Sequence, residues 1–122
     1  SGTWYQVTDQ GAREGNYLES SATALFIYTL AKAINKGYIG NEYIEPTQKA
    51  FDGMVKTFTR LEEDGSYTIT NCCAVAGLGG DSKRYRDGSF EYYISEPIIE
   101  NDPKSIGSFI LAAIEYEKMT KK

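Results

Sequence analysis

Residues 17–36 constrain this chain more than any other stretch. Their spacing predicts one long helix. Leu18, Ala22, Leu25, Phe26, Thr29 and Ala33 fall on one stripe, and Ala24, Ile27, Tyr28, Ala31 and Ile34 fill much of the opposite side. Charge enters only at Glu19, Lys32 and Lys36. A helix that is apolar on nearly all sides is buried between layers and not laid on a surface. Asn16 reads as its N-cap with Glu19 three residues on, a capping box with Asn in place of Ser or Thr. Lys36-Gly37 reads as its end.

The other elements are more ordinary. A second helix is predicted over 46–61, with Pro46 in its first turn and Ala50, Phe51, Met54, Val55, Phe58 and Leu61 on its apolar face. Asp64-Gly65 is a turn. Residues 66–71 alternate polar and apolar and read as a strand, and the aromatic-rich 89–94 reads as its hairpin partner. Between them lie a Gly-rich loop (72–80), a charged, exposed segment (81–86) and the turn Arg86-Asp87-Gly88. A third helix over 103–119 starts at the N-cap Asp102 and at Pro103, with Ile106, Phe109, Ile110, Ala113 and Ile114 facing inward. The reading is mainly α: three long helices (17–36, 46–61, 103–119) and a short β-hairpin (66–71, 89–94). At 122 residues the chain is at most one domain, 1–122. Three helices, one of them two-sided, close a bundle poorly, so neighbours are expected on the helix's other side.

Composition removes several function classes. The net charge is −4, against non-specific nucleic-acid binding, which needs a basic face. There is no His, which excludes His-based acid–base chemistry, Ser-His-Asp triads and His-ligated metals. Two adjacent Cys, Cys72 and Cys73, read as small buried residues at a strand end, so no metal and no other cofactor is expected. No apolar run reaches the ~20 residues a membrane helix needs. Ser1 stands where an initiator Met would, so cleavage from something longer is expected. A soluble protein of the cytoplasm or periplasm is expected, with the compartment open.

Carboxylates are the candidates for chemistry, because glycosidic reactions commonly use two at a defined separation. Asp9, Glu19, Asp87, Glu91 and Glu96 qualify by type, and spacing selects no pair. Glu19 also has a plain role in capping, and Asp87 in a turn. Trp4, Tyr5, Gln6 and Arg13 combine an aromatic plane, an amide and a guanidinium, which suits an acidic sugar, while Trp4 suits a core equally well. Gly77-Leu78-Gly79-Gly80 lacks the ending of a phosphate-binding loop.

Several blocks then resemble one family. Gly2-Thr3-Trp4-Tyr5-Gln6-Val7-Thr8-Asp9 and Gly15-Asn16-Tyr17-Leu18-Glu19-Ser20-Ser21-Ala22-Thr23-Ala24 look like the C-terminal part of glycoside hydrolase family 105, the unsaturated rhamnogalacturonyl hydrolases, relatives of the family 88 unsaturated glucuronyl hydrolases. Ala31-Lys32, Gly37-Tyr38, Ala76 to Gly79, Arg86 to Tyr93, Ser95-Glu96-Pro97 and Asn101 to Lys104 follow in the family's order, then Gly107 and Phe109. The resemblance implies an arc of an (α/α)6 toroid from a bacterial enzyme of carbohydrate metabolism. Such an enzyme hydrates the C4=C5 double bond of a terminal unsaturated uronic acid on pectin-derived oligosaccharides, with an Asp as general acid and base. The family's catalytic Asp, its His-containing segments and its Trp-Gly-Arg motif lie upstream of the resembling blocks. The chain alone is therefore expected to carry no catalytic residue and to be catalytically incomplete. Its pocket-wall candidates are Trp4, Gln6, Arg13, Asn16, Glu19, Arg86, Asp87 and Tyr92. The expected partners are an oligosaccharide and either the remainder of the parent chain or a second copy. The alternative is a non-catalytic sugar-binding or oligomerising module derived from the toroid.

Overall fold

A computed structural model describes residues 1–81 and 83–122. Ser82, in the segment read as charged and exposed, lies outside the described residues. Four α-helices carry the fold: α1 (Ser20–Asn35), α2 (Ile44–Phe58, entered through a 3-10 turn at Asn41–Tyr43), α3 (Phe90–Ser95) and α4 (Pro103–Thr120). Two small antiparallel pairs join them: β1 (Thr59–Leu61) with β2 (Tyr67–Ile69), and β3 (Cys72–Cys73) with β4 (Ile98–Ile99).

α1 and α4 run side by side in the same direction. Ser20 and Ser105 share a hydroxyl hydrogen bond of 2.7 Å near their N-terminal ends, and the Asn35 amide donates to the Glu115 carbonyl (2.8 Å) near their C-terminal ends. Ser20, Thr23, Ala24, Ile27, Ala31 and Ile34 form the buried stripe of α1. Ser105, Ser108 and Ala112 answer from α4, small side chains that let the two backbones approach. α2 closes the third side: Ala50, Met54 and Phe58 join Ala24, Ile27 and Ala112 in the core, with Trp4, Leu18, Tyr28, Phe51 and Phe109 packed around them. Phe51 stacks on Tyr116 with centroids 3.8 Å apart.

The chain covers one side of α1 and leaves the other open. Leu25 and Phe26, from the first apolar stripe, stay 48% and 41% exposed. On α4 the stripe expected inward is split: Phe109 packs against the core and the isoleucines face out. Ile106, Ile110 and Ile114 are exposed, and the small-residue stripe packs instead, because only small side chains fit a closely apposed parallel pair.

Four expected elements differ. The first helix begins at Ser20, not at 17, and Asn16 does not cap it. The Asn16 amide is spent in the preceding loop, where it donates to the carbonyls of Val7 and Gln10 (both 2.9 Å) and accepts from the Val7 N–H. Residues 17–19 are drawn into extended pairing with Trp4–Gln6: the Gln6 N–H bonds the Tyr17 carbonyl, and the Glu19 N–H bonds the Trp4 carbonyl. The second helix ends at Phe58, where the β-branched Thr59 turns extended (φ −105°, ψ 135°) and starts a hairpin around Asp64-Gly65. The strand near 66–71 therefore pairs with its sequence neighbour, in the register Thr59↔Ile69, Arg60↔Thr68 and Leu61↔Tyr67, and not with 89–94. Residues 90–95 are helical. Asp87 accepts from the Ser89 N–H, and the Ser89 hydroxyl accepts from the Tyr92 N–H (3.1 Å), a cap that overrides the strand preference of Phe and Tyr. α4, with Asp102 at its N-cap and Pro103 first, agrees with expectation.

Candidate functional site

The described site candidates gather where the N-terminal segment meets the stretch 72–96. Glu19 is the hub. It is 1% exposed and caps α1 with its side chain. One carboxylate oxygen accepts from the Ala22 N–H (2.7 Å), the other from the Cys73 N–H (3.0 Å), and the Ser21 hydroxyl donates to both. Glu19 thus ties α1, β3 and the N-terminal segment together. The Gln6 amide donates to the Cys73 sulfur (3.3 Å), so it faces protein. Cys72 and Cys73 are free, buried thiols, as their small size suggests, and burial pushes the Cys72 thiol up. The Tyr17 hydroxyl is buried beside Cys73 without a well-formed hydrogen bond, and burial holds its phenol far above the ordinary tyrosine range.

Arg13 reaches across to α3. Its guanidinium lies 3.9 Å from the Phe90 ring centroid and pairs with Glu91 at 2.5 Å. A Cβ on Gly15, whose φ is +86°, would sit 2.7 Å from Ile94, so the loop meets α3 at van der Waals contact there. Trp4 is half-buried, edge-on to Phe26 at 5.1 Å, and with Phe26, Thr29 and Leu30 it lines a shallow cavity of about 260 Å³ on the flank of α1.

The second group centres on Glu96, 2% exposed. The Tyr92 hydroxyl donates to it (2.9 Å), Arg84 Nη2 pairs with it at 2.5 Å, and Arg86 Nε lies 3.5 Å away. Burial alone would raise the Glu96 carboxyl. The Tyr92 hydroxyl and the two guanidiniums outweigh it and hold the carboxyl below the usual range. Burial and the Glu96 hydrogen bond raise the Tyr92 phenol. Asp87 stands apart: exposed, held low by the Ser89 hydroxyl and backbone, and occupied in its turn.

The structure thus brings Gln6 and Glu19 together in one cluster and Arg86 and Tyr92 in another. Arg13 bridges to α3, Asn16 latches a loop, and Trp4 and Asp87 stand apart. Arg84 was not among the candidates, and Glu96, a candidate carboxylate by type, was not among the pocket-wall residues. Tyr92 and Glu96 lie four residues apart, a spacing that pairs them once 90–95 is read as a helix. Among the described residues no three His, Cys, Asp or Glu converge on a metal-sized site.

Paired helices, with α1 and α4 parallel in one layer and α2 packed on α1, define an α/α architecture. The sequence profile of Glycosyl Hydrolase Family 88 matches residues 1–120, and the chain belongs to that family. It superposes on a Clostridium acetobutylicum glycoside hydrolase from family 105 with a TM-score of 0.91 at 46% identity, covering 94% of this chain and 31% of that one. A possible member of the same family from Salmonella enterica superposes at 0.74 with 26% identity, covering 99% of this chain and 27% of that one. A 24.9 kDa protein in the picA locus of Rhizobium radiobacter is 36% identical over 94% of this chain. The chain spans about half the length of that curated relative (51%). The expectation of a mainly α arc of this family's toroid holds. No described helix is long and apolar enough to cross a membrane.

Proposed function

We propose that the chain is the C-terminal arc, residues 1–122, of a hydrolase that adds water across the C4=C5 double bond of terminal unsaturated uronic acids on rhamnogalacturonan-type oligosaccharides. The observation that carries this reading is the 46% identity to the C. acetobutylicum glycoside hydrolase together with coverage of only 31% of it. In this reading the catalytic Asp sits in the other two-thirds of the ring, and the chain contributes pocket wall and structural closure. The open apolar flanks support it. Leu25 and Phe26 on α1, and a groove of about 300 Å³ lined by Tyr67, Ile69, Ile106 and Ile110, are surfaces that ring neighbours would cover.

Those flanks also favour a second reading, a non-catalytic module that associates through them. A chimera separates the two. This chain replaces the matching third of the C. acetobutylicum protein, and loss of the double bond's ultraviolet absorbance is followed on unsaturated galacturonyl-rhamnose and on an unsaturated glucuronyl disaccharide. The proposal expects turnover, faster on the galacturonyl substrate. A folded chimera that turns over neither substrate would leave the module reading standing.

A further inference from the structure

We infer that the two open flanks fit each other, so that α1 of one copy of this chain docks on α4 of the next and three copies close a ring. This rests on the arc reading above: the flanks that the rest of the ring covers in a whole enzyme are covered here by a second copy. Each helix of the parallel pair is buried on one side and open on the opposite one. On α1, Ser20, Ala24, Ile27 and Ala31 are buried, while Ala22, Phe26, Thr29, Ala33 and Lys36, three or four residues apart, form a half-buried to exposed stripe behind them. On α4, Ser105, Ser108 and Ala112 are buried, and Ile106, Ile110, Ala113 and Glu117 form the stripe on the far side. Because α1 and α4 lie side by side, the two stripes are the opposite edges of one helical layer.

The edges match in shape and charge. The α1 edge is a furrow: a hollow of about 260 Å³ at Trp4 and Phe26 adjoins one of about 380 Å³ at Ala33 and Lys36, and Thr29 lines both. The α4 edge carries the groove of about 300 Å³, with Ile110 and Ile114 standing 55% and 45% exposed beside it. Each edge thus offers a hollow and protruding side chains, and apolar faces of this kind on a small chain mark a contact surface. Both stripes are apolar up to their last residue, Lys36 on α1 and Glu117 on α4. Lys36 makes no ion pair among the described residues, and Glu117 holds the exposed Lys121. Within the chain Ser20 is level with Ser105, and Asn35 with Glu115. A neighbouring copy that repeats this stagger sets Phe26 level with Ile110 and Lys36 level with Glu117, opposite charges that favour the parallel orientation. Such a contact joins two different edges, so each added copy leaves one edge open until a ring closes. The chain covers 31% of the C. acetobutylicum protein, so each copy turns through about a third of the ring and the third copy closes it.

Sedimentation equilibrium of the 122-residue chain over micromolar concentrations tests this, because it reads the mass directly. The expected result is monomer giving way to a trimer end state. Ile110→Asp should abolish assembly while leaving the monomer's thermal midpoint unchanged, since Ile110 is 55% exposed. Glu117→Lys and Lys36→Glu should each weaken assembly about fivefold, and the two together should restore it to within about twofold, because the pair is re-formed with its charges exchanged. Monomer throughout, a dimer end state, or a double variant as weak as the single ones would overturn the inference. Sedimentation is blind to hydration. Chimera turnover with a monomeric chain sinks only this inference, and a trimer without chimera turnover sinks only the hydrolase reading.

Discussion

Replacing Glu19 by alanine leaves three donors at once without their shared acceptor. Glu19 is 1% exposed and accepts from the Ala22 N–H, the Cys73 N–H and the Ser21 hydroxyl. Loss of an N-cap costs about 1 kcal/mol. Leaving the buried Cys73 N–H without an acceptor adds about 1–3 kcal/mol, and the one lost methylene adds about 0.8 kcal/mol. The total is about 3–5 kcal/mol, a large part of the ~5–15 kcal/mol that holds a domain of this size. At about 4 °C per kcal/mol the melting midpoint should fall by roughly 12–20 °C. Glu19→Gln keeps the shape but turns an NH2 group toward one of two N–H donors, so it should recover no more than about half of the loss. Urea and thermal unfolding followed by circular dichroism read both variants. An alanine variant within about 1 kcal/mol of wild type, or a glutamine variant equal to wild type, would refute the account of Glu19 as the tie between α1 and β3.

Ser105→Leu should unfold the chain or separate α1 from α4, because Ser105 is fully buried against Ser20; Ser105→Ala should cost only about 1 kcal/mol, and chemical denaturation compares them. Arg13→Ala should leave global stability within about 1 kcal/mol, since its pair with Glu91 is exposed, yet it should speed proteolytic nicking within residues 9–15, read by mass spectrometry. In alkaline titration, Tyr17, Tyr92 and Tyr116 should ionise above the ordinary tyrosine value near 10. Their folded-state pKa values are raised, so their contribution is complete below the unfolded value near 10 and is lost as pH climbs above it. Ionisation of these three at the ordinary value in the folded protein would contradict this. On the acid side Glu96 works in the opposite sense: its folded pKa is lowered, so its stabilisation is present above the ordinary Glu value near 4.3 and fades as pH falls below it. Removing Tyr92's hydroxyl (Tyr92→Phe) should shrink that acid-side slope.

Legibility followed local competition. α4 could be read end to end because Asp102 and Pro103 leave one option for its start. The start of α1 could not, because Asn16 and Glu19 are both competent caps. What decides between them is a long-range fact, the pairing of residues 17–19 with Trp4–Gln6. Residues 90–95 carry β-favouring aromatics, and only the Asp87–Ser89 cap makes them helical. The isoleucines of α4 face out, against expectation, while Phe109 packs inward, because hydrophobicity marks the stripe that wants covering, not the one covered by this chain. Glu96, named as a carboxylate by type, was not joined to Tyr92 for the same reason that α3 was missed: the i,i+4 pair exists only on a helix.

Fragment complementation tests the central claim most directly. This chain is mixed with the C. acetobutylicum protein from which the matching 31% has been removed, and double-bond hydration of unsaturated galacturonyl-rhamnose is followed. An arc that completes a ring predicts no turnover from either piece alone and turnover from the mixture, with co-elution of the two. Turnover by this chain alone, or a folded monomer that neither binds the remainder nor restores activity, would contradict it.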